Sequence, residues 1–431
     1  MNSAHHRPAG HRRRAASPGR PTVYRGGTVL IGGPEWDAMD DGAVVVIDGH
    51  IAEVAPWSTI ASGLDGETRV VDLGPATLMP GLIDAHVHLG FDGGPDPVGR
   101  MAASSDAQLT VLMLRSARDL LNVGVTTARD LGARGFLDVL VRDAIAAGDA
   151  PGPRILAAGA PLTPTGGHCW FLGGEADGPQ ALRARVRDHR KRGVDLVKVM
   201  VTGGYMTRGF GPREPQLHDD ELQAVVAEAH RLGVPVTAHV HGVSGIAQAL
   251  DAGVDGLEHC SFLHPDGEVR WDPVLGERIR AQGVAVAPTA HFRNRAVTES
   301  RDGDFVPRVG EMYRAGLTVL ASTDAGVNDV PHHAFVGALE VMHWLGMPRT
   351  AVLDSATWIA ARALGLGAVT GRLAAGLAAD LIAVDGDPRE DLAALDALEL
   401  VVAAGREHLP EPVPDWRAIP LPTPEPHGSR R

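Results

Sequence analysis

Two periodicities divide this chain. From Thr22 to about Thr77, apolar residues come in short runs, TVLIGG and AVVVIDGHIAEV, and Asp48-Gly49 between apolar flanks predicts a tight hairpin. This segment is too short to bury a core alone. Near the other end, Asp380–Val384 (DLIAV) and Leu398–Ala403 (LELVVA) show the same strand-like pattern. The two terminal segments are therefore expected to pair into one small β-sandwich, with the middle of the chain inserted between them.

From Leu82 to about Leu366 the period changes. In Asp220–Leu232 apolar residues fall at Leu222, Val225, Val226 and Ala229, the i, i+3, i+4, i+7 face of an amphipathic helix, and the strand-like run VPVTAHVHG follows directly. The unit recurs. Helices are predicted around Ala181–Arg192, Ile246–Ala252, Pro273–Ala281 and Val306–Arg314, each before an apolar run: VDLVKVM, VDGLEHC, VAVAPTA and LTVLASTDAG. Helix before strand, repeated about eight times over roughly the 250 residues typical of the fold, predicts an α/β protein centred on a (β/α)₈ TIM barrel. A doubly wound open sheet is the alternative, but it would want a Gly-rich phosphate turn after its first strand, where this chain carries HVH. The expected organisation is a disordered basic leader over 1–21, the β-sandwich over 22–79 plus 367–410, the barrel over 80–366 and a Pro-rich tail over 411–431.

Composition narrows the partners. With 40 Lys and Arg against 53 Asp and Glu, the net charge is 40 − 53 = −13 over 431 residues, which argues against a surface for nucleic acid or an anionic membrane and favours a small-molecule substrate. Aromatic residues are only 4%, so the core must lean on Ala, Val and Leu. Two cysteines, Cys169 and Cys260, cannot make a disulfide framework, and Cys260 reads as a small buried hydrophobe. No apolar run of 18 residues exists, and the leader MNSAHHRPAGHRRRAASPGR lacks an apolar h-region, so a cytoplasmic location is expected. His5 and His6 in that leader read as solvated.

The candidate chemistry lies where the strand-like runs end. LMPGLIDAHVHL (Leu78–Leu89) closes on two histidines one residue apart; strand alternation points both the same way, so His86 and His88 can share one cation. Such a pair alone is weak evidence. Lys198 in VDLVKVM, His239 in VPVTAHVHG, His259 in GLEHC and Asp324 in VLASTDAG add four more strand ends with a metal-capable or titratable group. In a barrel these ends converge on one mouth, which turns a weak motif into a candidate site.

At this point the sequence resembles the amidohydrolase superfamily, and within it the binuclear prolidase-like or imidazolonepropionase-like hydrolases. The resemblance rests on PGLIDAHVH (Pro80–His88), VKVMVTGG (Val197–Gly204), TAHVHG (Thr237–Gly242), LEH (Leu257–His259), STDAG (Ser322–Gly326) and GLAADLIAVDGDP (Gly376–Pro388), and spans about residues 22 to 406. It implies that His86, His88 and Asp324 hold one metal, that His239 and His259 hold the other, and that a carboxylated Lys198 bridges both.

Physical chemistry is compatible with those roles. An ammonium in an apolar strand is costly, so burial should lower the Lys198 pKa and leave a neutral amine able to take up CO₂ as a bridging carbamate. Nitrogen and oxygen ligands without thiolate favour two Zn²⁺ ions, with Mn²⁺ or Co²⁺ as alternatives. Two close metals acidify a bridging water, and Asp324 would carry its proton to the leaving nitrogen. The expected function is hydrolysis of an amide-like C–N bond in an N-acyl amino acid or dipeptide, Xaa-Pro-like included. Alternatives are a cyclic-amide or ring-opening hydrolase, a natural-product-specific member, a mononuclear deaminase, against which Lys198 counts, and an inactive barrel that only binds.

Substrate contacts are expected from His168 in TPTGGHC, from His241 two residues after His239, where some relatives have Tyr, and from Tyr205, Arg208 and Arg213 in the loop after Lys198, whose guanidinium groups suit a carboxylate. Glu258 should face away from His259 and serve packing or ligand support. His332 and His333 are expected to cap a helix or lie exposed, and His230 to lie on a helix surface. A homo-oligomer is compatible with the family.

Overall fold

The alternation of the terminal segments sets how they pack. The computed structural model describes residues 19–296 and 306–421. Most of the leader, with His5 and His6, and the end of the tail lie outside the described residues. The terminal segments meet as one hydrogen-bonded sheet of eight strands. Thr77–Pro80 pairs antiparallel with Leu381–Val384 on one side and parallel with Thr22–Leu30 on the other. The predicted hairpin forms between Ala38–Ile47 and His50–Pro56, with Asp48 at φ +50° and Gly49 at φ +77°, the left-handed pair that a two-residue turn requires.

Neighbouring residues of this sheet serve different cores. Leu78, Leu381, Ala383 and Val402 join a cluster with Tyr24, Val29 and Val44, while Met79, Ile382, Val384 and Val401 pack into the main core of the protein. A period of two therefore docks one face of the sheet on the central segment.

Among the described residues the central segment supplies parallel strands. Leu82–Val87, Val125–Asp130 and Arg154–Ala157 make one sheet, and Val197–Met200, Val236–Gly242, Gly256–Leu263, Ala285–Ala287 and Thr318–Val319 make a second. Their edges are joined by main-chain bonds. Leu162 N donates to Lys198 O (2.8 Å) and Met200 N to Leu162 O (2.8 Å), while Ala85 N donates to Ala321 O (2.9 Å) and Asp324 N to His86 O (2.9 Å).

The predicted helices are present as Pro179–Arg192, Asp219–Arg231, Val243–Ala252, Pro273–Gln282 and Val309–Arg314. Pro179 and Pro273 start theirs at the first turn, where the missing N–H costs nothing, and Gly193, Gly253 and Gly283 end theirs at positive φ. Among the described residues no helix is long and apolar enough to cross a membrane.

Candidate metal centre and active site

Strand alternation places His86 and His88 on one face, and the structure puts both Nε2 atoms 3.2 Å from Asp324 Oδ1. That oxygen is buried and makes no aligned hydrogen bond among the described residues. Two imidazole nitrogens and a carboxylate oxygen converging without hydrogen-bond alignment form a donor set suited to a divalent cation. Burial alone would raise the Asp324 carboxyl, but His86 and His88 outweigh it and hold it well below the usual carboxylate range. Asp324 is therefore an anion here.

The second half of the site comes from the adjoining strands. The His239 and His259 rings lie 4.5 Å apart and His86 and His259 5.1 Å apart, so the two histidine groups are contiguous. Burial first, then neighbouring imidazoles, push both His239 and His259 well below the ordinary histidine range and keep them neutral, the state in which they bind metal. Burial likewise brings the Lys198 ammonium down to about 8, and among the described residues it has no ion-pair partner. All six predicted ligands line one open cavity of about 360 Å³. These donors fit a divalent metal ion.

Backbone conformation explains a feature that alternation alone misses. Glu258 was expected to face away from His259, yet both reach His86. His259 sits at φ +63°, a left-handed conformation uncommon outside glycine, and this breaks the alternation of its strand. Glu258 Oε2 is 2.8 Å from His86 Nδ1, and its Oε1 accepts from Arg129 Nη2 (2.7 Å) and from the Thr237 hydroxyl. Burial would raise this carboxyl, but Arg129, His86 and Lys198 hold it at about 2. Asp324 is also left-handed, at φ +60°.

Of the predicted substrate contacts, His168, Tyr205 and His241 line the cavity. His168 packs on His239 (4.6 Å between rings), and a Cβ on Gly204 would come within 2.5 Å of the His168 ring, so a glycine there permits the approach. Tyr205 packs on His241 at 5.3 Å. Arg208 and Arg213 are not brought to it: Arg208 is exposed, and neither belongs to the cavity wall. The guanidinium in the wall is that of Arg293, 3.3 Å from Asp329, beside His291 and Asn294. His291 lies at the end of VAVAPTA, where the strand-end rule used for the metal-site candidates would have found it.

His332 departs from its expected exposure. It is buried, with Nε2 3.2 Å from the carbonyl of His88, so it props the first strand's end from behind. His230 lies on the surface beside Asp255, as expected, and Cys260 is a buried thiol that burial pushes up. A larger cavity, about 840 Å³, lies by the helix Leu137–Ala147 and the strand Arg406–His408, but its cations are engaged: Arg142 with Asp195, Arg154 with Asp380, and Arg406 with the carbonyls of Ile145 and Ala146.

The buried imidazoles make stability depend on pH with a definite sign. Burial, the largest cause for each, lowers His168, His291 and His332 to about 4. In the unfolded chain they titrate near 6.5, so between those values the unfolded state binds more protons and the fold loses about 1.4 kcal/mol per pH unit for each group as the solution is acidified. Asp84 and Asp130, which burial pushes up to about 7, and Asp138, pushed up to about 8, act in the opposite sense, so the imidazole share is read by comparison: metal-free His332→Gln is expected to lose less melting temperature between pH 7 and pH 5 than metal-free wild type in scanning calorimetry. An equal loss in both would mean that this ring is protonated in the fold.

The sequence profile of the Amidohydrolase family matches residues 77–407. The chain is 30% identical to ochratoxinase of Aspergillus niger over 417 residues, covering 86% of this chain and 82% of that one. It is 28% identical to imidazolonepropionase of Symbiobacterium thermophilum over 401 residues, covering 82% and 87%. Among solved structures, a Xaa-Pro dipeptidase with methionine bound in its active site superposes with a TM-score of 0.78 at 28% identity, over 90% of this chain and 100% of that one.

Proposed function

The chain belongs to the amidohydrolase family and is a hydrolase acting on carbon–nitrogen bonds, and from that premise we propose that it cleaves the amide bond of a small N-acyl amino acid or dipeptide at a binuclear metal site. In this reading the two parallel sheets close into one eight-stranded barrel, supported by the bonds between Leu162 and Lys198 and between Ala85 and Ala321. The observation that carries the proposal is the gathering of His86, His88, Lys198, His239, His259 and Asp324 around one cavity, with Asp324 Oδ1 3.2 Å from two imidazole nitrogens.

His86, His88 and Asp324 would hold one cation, His239 and His259 the other, and a carbamate on Lys198 would bridge them. Zn²⁺ suits this donor set, with Mn²⁺ and Co²⁺ also compatible. When bound, such a pair acidifies water and polarises the amide carbonyl. Asp324, an anion, takes the proton of the attacking water and delivers it to the leaving nitrogen. His168 and His241 stand at the wall to orient the carbonyl. Phe91 and Met206 offer apolar surface for a side chain, and Arg293 with His291 offers a place for a carboxylate. The names of ochratoxinase, imidazolonepropionase and Xaa-Pro dipeptidase point to small molecules as what those proteins act on, which is in keeping with this assignment.

Elemental analysis of wild type and Lys198→Ala, each purified from medium supplemented with zinc and bicarbonate, tests it. About two metals per wild-type chain, falling by at least one in the variant, is the expected result. One metal or none in the wild type would overturn the bridged site. A substrate panel follows: rejection of every dipeptide and N-acyl amino acid would move the assignment to a ring-opening or more specialised amide.

A further inference from the structure

His241 does more in this structure than stand beside the substrate. We propose that His241 is a metal ligand, completing with His239 and His259 a three-imidazole site for one of the two cations. This rests on the reading of the cavity as a metal centre, but adds a donor to it.

The argument begins with the backbone. His239 and His241 lie two residues apart on the strand Val236–Gly242, so alternation turns both to one face. His259, on the adjoining strand, is brought round to them by its left-handed φ of +63°. The outcome is a cluster of three rings with centroids 4.5 to 4.7 Å apart, the His241 and His259 rings stacked at 21°. A nitrogen of each lies within 4.8 Å of those of the others, and all three residues are buried. On a tetrahedral zinc with bonds of about 2.0–2.1 Å, donors stand roughly 3.4 Å apart, a distance that modest ring rotations reach.

The other nitrogens are also arranged for coordination. His241 Nδ1 lies 2.8 Å from Ser261 Oγ, and His259 Nδ1 lies 3.0 Å from Thr289 Oγ1. A metal-bound histidine normally engages its second nitrogen this way, which sets the tautomer and holds the ring. An N–H donated to each hydroxyl directs the Nε2 lone pair of both rings to a cation. Imidazoles alone further select Zn²⁺, Co²⁺ or Ni²⁺ over Mg²⁺ and Ca²⁺. The cation bound there is anchored without need of Lys198.

The test uses the full chain as wild type, His241→Ala, His241→Gln and Ser261→Ala. Each is dialysed against a zinc buffer, analysed for metal content, then reloaded with Co²⁺ for its visible absorption spectrum. Circular-dichroism melting checks the fold. The expected result is loss of about one zinc per chain in both His241 variants, with affinity at that site down at least about 100-fold and a changed Co²⁺ spectrum. Ser261→Ala should keep both ions but bind the one at that site about 10-fold less tightly. If both His241 variants keep two zinc ions at wild-type affinity and only KM rises, His241 is a substrate contact and the inference fails while the metal centre stands. Wild-type protein that binds no metal would instead remove the metal centre itself. Should His241→Ala not fold, the near-isosteric His241→Gln decides alone.

Discussion

Asp324→Asn is expected to lower kcat for amide hydrolysis by about 10²- to 10⁴-fold, the range that a positioned proton-transfer group contributes. The asparagine keeps the shape of the side chain and the main-chain bond from residue 324 N to His86 O at 2.9 Å, so the strand end should hold its place. What it loses is the anion. His86 and His88 hold the Asp324 carboxyl far below the usual range against the opposing effect of burial, so it is charged at neutral pH and able to accept a proton. An amide accepts none. Steady-state kinetics together with metal analysis separate the two jobs of this residue: turnover lost with metal content intact isolates proton transfer, whereas turnover lost in step with metal assigns Asp324 to binding alone. A variant with wild-type kcat would remove Asp324 from the mechanism.

The second large effect is on stability. Glu258→Ala is expected to destabilise the protein by about 3–5 kcal/mol, because it strands the Arg129 guanidinium in the interior after removing its 2.7 Å partner. Glu258 and Arg129 are both buried, so neither charge has water to fall back on. Glu258→Gln should be milder for folding, since it keeps the volume and a carbonyl for Arg129 or Thr237. It should nonetheless weaken metal binding by about 10- to 100-fold, because Glu258 Oε2 at 2.8 Å sets the tautomer and tilt of His86. Denaturant unfolding and competitive zinc titration give the two numbers. A loss below about 1 kcal/mol for the alanine variant would show that the interior reorganises around Arg129. Replacing Arg129 and Glu258 together by apolar residues is expected to cost less than the sum of the single changes, as it leaves no unpaired charge behind.

Much of the architecture was legible from local periodicity. The hairpin at Asp48-Gly49, the helices from Pro179–Arg192 to Val309–Arg314 and the pairing of the terminal segments all follow from period, turn chemistry and capping. So did the six metal-capable residues at five strand ends, because a parallel α/β layout brings the carboxyl ends of distant strands to one side. Where the chain is regular, its neighbours along the sequence decide which way a side chain points.

Three features were decided only by the tertiary structure. The left-handed φ of His259 brings Glu258 and His259 to the same histidine, which strict alternation forbids. The guanidinium in the cavity wall belongs to Arg293, whereas Arg208 and Arg213 lie outside that wall, since the course of a long loop depends on what it packs against and not on its own composition. His332, expected to cap a helix or lie exposed, is buried behind His88 because a short 3₁₀ turn, His332–Ala334, folds back onto the first strand's end. The sequence by itself determined the elements, the strand-end candidates and the family. Only the packed chain decided which partners orient those side chains, because ion pairs such as Arg129–Glu258 join residues 129 positions apart, beyond the reach of any local period.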